Sequence, residues 1–170
     1  MDGNELRNIQ APLKEHYRQD PSGAVIRLEA RGVLGEENVS CSITTGKGLV
    51  EAGLHPATGG DGSLACSGDM LLEALVACSG VTLGAVAKAL GLDIRSGTVH
   101  ASGDLDFRGT LAVAKEAPVG FTNIRLVFDL NSSASEEELQ TLYELTKRYC
   151  VIYQTLTNPP TVNVEYLNGS

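Results

Sequence analysis

Four cysteines carry most of the chemistry open to this 170-residue chain. Cys78 lies in Leu75-Val76-Ala77-Cys78-Ser79-Gly80, inside a long apolar stretch. A free thiol there either packs as a small hydrophobe or, with a cation or donors beside it, ionises and becomes a nucleophile. A mid-helix position takes Cys78 away from its own helix N-terminus, so a cation must come from elsewhere; Arg18, Arg27 and Arg31 are the candidates. Cys150 follows Lys147 and Arg148 at a helix junction, 72 positions later. It is either a core contact or a resolving thiol for Cys78, and only tertiary structure decides between them. Cys41 and Cys66 have no arguable partner and read as packing residues.

Other chemistries lack the necessary spacing. No cysteines stand in C-x-x-C, and His16, His55 and His100 form no pair one helical turn apart, so no metal is expected. Gly46-Lys47-Gly48 opens no phosphate-binding helix, there is no G-x-S-x-G elbow, and no cofactor is called for. The balance of 13 basic against 21 acidic residues argues against nucleic acid and against a polybasic membrane patch. The polar start predicts no signal peptide. The apolar stretch 70–92, broken by Glu73 and Lys88, reads as a buried helix rather than a membrane span. The expectation is a cytoplasmic protein with an N-terminal helical arm, 1–22, and a single domain, 23–170. A reducing compartment leaves no place for structural disulfides.

The elements that must position these thiols follow from periodicity and breakers. Leu6, Ile9, Leu13 and Tyr17 give 4–20 a helical face, with Pro12 limiting or kinking it. Alternation predicts strands at 24–31 and 39–44, paired as a hairpin. The glycine-rich 53–68 reads as a long irregular loop. A helix capped by Ser67, with Asp69 in its first turn, runs to Gly91 and is apolar nearly all round. Strands are expected at 93–107 and 121–130. Ser135 and Glu138 form a capping box for the next helix, which continues or restarts at 149–153 and stops at Asn158-Pro159-Pro160. An alternating strand, 161–166, closes the chain. This order indicates an α+β fold.

Two segments together resemble the OsmC/Ohr family. Ser67-Gly68-Asp69-Met70-Leu71-Leu72-Glu73-Ala74-Leu75-Val76-Ala77-Cys78 is similar to its central-helix signature. Tyr149-Cys150-Val151-Ile152-Tyr153-Gln154-Thr155-Leu156, followed by Val162-Asn163-Val164, is similar to its second cysteine segment and last strand. The resemblance implies antiparallel sheets wrapped around central helices in an intertwined homodimer, with sites at the subunit interface. It also implies a thiol peroxidase that reduces organic hydroperoxides and is recharged by a thiol reductant. Cys78 would be the peroxidatic thiolate and Cys150 the resolving thiol. The family's peroxidases place a glutamate ten positions before the first cysteine; here that position is Gly68. The departure keeps a second reading open, a non-peroxidatic dimer binding a small thiol or apolar ligand at its interface.

Overall fold

The computed structural model describes residues 2–19, 25, 32–34, 40–45, 48–112 and 114–167. The chain begins with helix α1 (Gly3–Gln19), which runs through Pro12. Its start is fixed reciprocally: Asp2 Oδ1 accepts from the Asn4 and Glu5 amides, and Glu5 Oε2 accepts from the Asp2 amide at 2.7 Å. The turn at 20–23 and nearly all of the strand expected at 24–31 lie outside the described residues.

Strands β1 (Gly32–Leu34), β2 (Ser40–Thr45), β3 (Gly48–Gly53) and β4 (Ala65–Cys66) form one sheet in chain order. The strand expected at 39–44 is therefore present, displaced by one residue, and it pairs on one side with β1 and on the other with β3. The expected irregular loop begins in the last residue of β3. It contains a 3₁₀ turn, Pro56–Thr58, and β4, which pairs parallel with β3. The turn is held because His55 Nδ1 accepts from the Ala57 amide at 3.0 Å.

Helix α2 (Ser67–Leu90) is the axis of the fold. Its N-cap is Cys66 rather than Ser67, and Cys66 makes no side-chain capping bond. Gly91 ends it in the left-handed conformation, φ 73°, as its position after the last apolar residue predicted. Among the described residues it is the one helix long and apolar enough to cross a membrane. Within the chain its buried face is one stripe, Leu75, Ser79, Leu83 and Ala87, at the four-residue spacing of a helix face.

Around that stripe lie an antiparallel pair, β5 (Ile94–Asp104) and β6 (Asn123–Ser132), and, in direct contact with α2, the helices α4 (Glu136–Tyr149) and α5 (Val151–Thr157). The end of the expected strand at 93–107 instead turns into the one-turn helix α3 (Phe107–Thr110), because the Asp106 side chain accepts from the Arg108 amide and caps it. Helix α4 (Glu136–Tyr149) starts at the expected capping box, with both reciprocal bonds present. Helix α5 (Val151–Thr157) restarts after a single residue, Cys150, and Asn158 caps its end. Leu83, Ala87 and Leu142 form the core, with Phe128 stacked on Tyr143 at its edge. The whole is α+β, as expected.

The expected last strand does not form within the chain. Residues 161–167 have no strand pairing and are exposed, Tyr166 to 89 %. The alternation of Val162, Val164 and Tyr166 is present, but it pairs with no strand among the described residues.

Candidate active site

Cys78 and Cys150 meet across the α2–α5 contact. Both are free thiols. Cys78 is partly buried, whereas Cys150 is 1 % exposed. The two side chains are within hydrogen-bonding reach of one another. In the folded chain Cys150 is a core residue and also a neighbour of Cys78.

The backbone at Cys150 explains how this contact is held. Cys150 is the C-cap of α4 and the N-cap of α5, with extended geometry, φ −75° and ψ 110°. Its amide donates to the Thr146 carbonyl at 2.9 Å, and its carbonyl accepts from the Gln154 amide at 2.9 Å. The Gln154 side chain reaches back to the Lys147 carbonyl at 2.8 Å, locking α5 to α4. A helix leaves its first amides without intrahelical acceptors. In α5 those of Val151 and Ile152 favour the Cys78 thiolate.

These donors decide the state of Cys78. Burial pushes its thiol up. The Ile152 amide, the Cys150 side chain, the Val151 amide and the Thr82 side chain all favour the thiolate, and together they outweigh burial. The result lies below the usual thiol value of 9.0. Thr82 is one helical turn after Cys78 on α2, so its hydroxyl lies over the same face. Lowering by hydrogen bonds to the charged form is the expected route to a nucleophilic thiol where a cation is lacking. Among the described residues no arginine contributes to it. The side chains of Arg18, Arg27 and Arg31 lie outside the described residues.

Polar residues with hydroxyls surround the pair in an otherwise apolar interior. Ser79 is 0 % exposed, and its Oγ lies 3.6 Å from Cys150 Sγ while also donating to the Leu75 carbonyl. Thr146 is also buried, and its hydroxyl finds no hydrogen-bond partner among the described residues. Sequence reading did not single out Ser79, Thr82 or the two amides. A signal for the hydroxyls was present, since Ser79 and Thr82 fall one and four positions after Cys78 in an apolar helix. The amides carry no such signal, because every non-proline residue has one.

Two cavities open along the elements that carry the pair, neither of them lined by Cys78 or Cys150. One, of about 450 Å³, is lined by Leu75, Phe121, Phe128, Tyr153 and Leu156 with Lys147 among them. The other, of about 340 Å³, lies at the start of α2 and includes Cys66, Gly68, Asp69 and His55, the last stacked on Phe107 with centroids 4.8 Å apart. A Cβ at Gly68 would meet Leu105, Cys66 and Phe121 at 3.4–3.6 Å, so the position opens onto this cavity. No group of three or more metal-ligating side chains occurs among the described residues. The backbone places Cys41 on β2, distant in sequence from the pair.

The OsmC-like protein family model matches residues 60–165, which contain both cysteines. No curated protein sequence matches the chain. Among solved structures, an OsmC-like protein from Mycoplasma pneumoniae is similar at TM-score 0.65 and 19 % identity, over 79 % of this chain and 89 % of that one. An organic hydroperoxide resistance protein from Elizabethkingia anophelis is similar at TM-score 0.62 and 18 % identity, over 80 % and 91 %. A third, an organic hydroperoxide resistance protein OsmC from Legionella pneumophila, aligns at TM-score 0.61 and 15 % identity, over 79 % and 92 %. At these identities the likeness is one of fold. With more than half of its length matched by the family model, the chain belongs to the OsmC-like protein family.

Proposed function

We propose that the chain is a cysteine-based thiol peroxidase that reduces organic hydroperoxides through Cys78 and Cys150. The carrying observation is the lowered Cys78 thiol, held by the Val151 and Ile152 amides with Cys150 beside it. Two structural relatives are organic hydroperoxide resistance proteins, which is in keeping with this reading. The apolar cavity beside Leu75 and Tyr153 suits an organic rather than an inorganic peroxide.

The chemistry runs in three steps. The Cys78 thiolate attacks the distal peroxide oxygen; an S–O bond forms, the O–O bond breaks, and the alkoxide leaves as alcohol after taking a proton. Cys78 is now a sulfenic acid. The Cys150 sulfur then attacks the Cys78 sulfur, forming the disulfide, and the displaced hydroxide takes the Cys150 proton and leaves as water. Finally two equivalents of an external thiol reduce the disulfide by exchange. The need for such a thiol pool fits a cytoplasmic location.

The active form in this proposal is an intertwined homodimer with its sites at the subunit interface. Three features support it. Only 22 % of the most apolar part of α2 is buried within one chain, and Val81 on it is 76 % exposed. A Cβ at Gly84 would meet nothing within 4 Å, leaving room for another backbone. The alternating segment 161–166 pairs with no strand among the described residues, and a second copy could supply one.

A second reading is a non-peroxidatic dimer that binds a small thiol or apolar ligand. Gly68 favours it, because the position opens onto a cavity instead of carrying a carboxylate. One experiment separates the two. The protein is mixed with one equivalent of cumene hydroperoxide, peroxide loss is followed, and disulfides are mapped by mass spectrometry. Stoichiometric peroxide loss with a Cys78–Cys150 bond is expected. Unconsumed peroxide and two reduced thiols would leave the second reading in its place.

A further inference from the structure

We propose that Ser79 is a positioning residue for the resolving step, seating the Cys150 sulfur against Cys78 by accepting its S–H. The proposal deepens the dithiol reading and rests on it. The direction of the hydrogen bond follows from counting protons. A serine hydroxyl has one proton to give, and that of Ser79 goes to the Leu75 carbonyl at 2.5 Å. Towards Cys150, 3.6 Å away, Ser79 Oγ can therefore only accept. The donor is the Cys150 thiol.

The surroundings make this contact matter. Ser79 and Cys150 are both buried, so water does not compete for either group. The Cys150 backbone is pinned on both sides by Thr146 and Gln154, which leaves rotation about its side chain as the freedom to be fixed. The Cys150 side chain that Ser79 Oγ touches is also the one that acts on the Cys78 sulfur, so a sulfur held at Ser79 is held near the atom it must attack. In the reduced protein the single Cys150 proton has two acceptors, the Cys78 sulfur and Ser79 Oγ. Once Cys78 is a sulfenic acid, Ser79 keeps the Cys150 sulfur in place while the S–S bond forms, the S–O bond breaks and the proton leaves with the hydroxide as water. Without the hydroxyl, Cys150 would sample other rotamers and the sulfenic acid would persist long enough for further oxidation.

The test uses an aromatic disulfide, dithionitrobenzoate, in place of peroxide, on the full chain carrying Cys41→Ser and Cys66→Ser. Cys78 attacks first and releases one aromatic thiolate; Cys150 then attacks the mixed disulfide and releases the second. With Ser79→Ala the first release is expected within about twofold of the parent and the second slower by about tenfold, the weight of one modest hydrogen bond. Ser79→Thr keeps the hydroxyl and is expected to restore the second release to within about threefold. Ser79→Val, which has the shape of Thr without its hydroxyl, should be slowed like Ala, and it carries the test if the alanine variant folds poorly. An unslowed second release in Ser79→Ala would overturn the proposal. So would equal slowing in the Ala and Thr variants, which marks a packing role, or a parent that shows no second release. The outcome is separable from the peroxidase reading. A slowed second release in a chain that leaves cumene hydroperoxide untouched would remove the peroxidase and keep the positioning. A normal one in a chain that consumes peroxide would remove Ser79 alone.

Discussion

Cys66 precedes helix α2 and Cys78 stands within it, 12 positions apart, and their surroundings differ in an instructive way. Cys66 is the N-cap of α2, where a 24-residue helix presents its positive end, yet its side chain makes no capping bond. Its sulfur faces the hollow at Gly68, and among the described residues no second thiol is paired with it. Cys78 lies far from the end of its own helix, but a second helix restarts beside it and supplies the Val151 and Ile152 amides. What sets a thiol apart here is which donors are turned onto it by another element, not its rank along its own helix. A one-residue break at Cys150 achieves this by freeing a set of amides in the interior.

The largest effect expected from this contrast comes from deleting each thiol. Cys78→Ser should reduce peroxide turnover to background, a loss on the order of a hundredfold or more, because the attacking atom is gone. Cys66→Ser should leave turnover within about twofold, and serine is the better N-cap, so its melting temperature should not fall. Equal losses in both variants would break the comparison. Cys78 should also link stability to pH. A thiol lowered in the folded state contributes stability that is complete above its usual value of 9.0 and is lost as pH falls through the lowered one. Denaturant melts of parent and Cys78→Ser should therefore converge on acidification and separate towards alkaline pH.

Val151→Pro comes next. Proline suits the first helical position, and the extended geometry of Cys150 is what a residue before proline adopts. The substitution removes one amide donor and leaves the helix start intact. The Cys78 thiol should move up, and its attack on peroxide near neutral pH should slow by about fivefold, one hydrogen bond's worth. Stopped-flow peroxide consumption reads this directly, and an unchanged rate would deny the Val151 amide its role. Thr82→Val should act in the same direction by about twofold, since it removes the last of the contributors to Cys78.

Much of the scaffold was legible because it is written in local chemistry. The Ser135–Glu138 box and Gly91 lie where capping rules put them. The misses have physical causes. Strand β3 was overlooked because glycines at both ends, Gly48 and Gly53, resemble loop punctuation, and its partner β2 supplies what its own sequence lacks. At 105–107 the alternation of Leu105 and Phe107 suggested more strand, but the Asp106 side chain captured the Arg108 amide. The pattern at 161–166 was read correctly as alternation, though a strand also needs a neighbour. Pro12 was expected to limit or kink α1, and it does not end the helix. At the site, the residues left the pairing of Cys78 with Cys150 open as one of two alternatives, and the family resemblance favoured it. The amides that lower Cys78 were not legible, since backbone N–H groups have no letter in a sequence.

The most direct test of the account is pH-resolved alkylation of the reduced protein with iodoacetamide, with Cys78 and Cys66 quantified separately by mass spectrometry. The account predicts that the Cys78 rate reaches half its maximum below the usual thiol value of 9.0, and that Val151→Pro moves this midpoint up. A Cys78 midpoint at or above that value, unmoved by Val151→Pro, would contradict it.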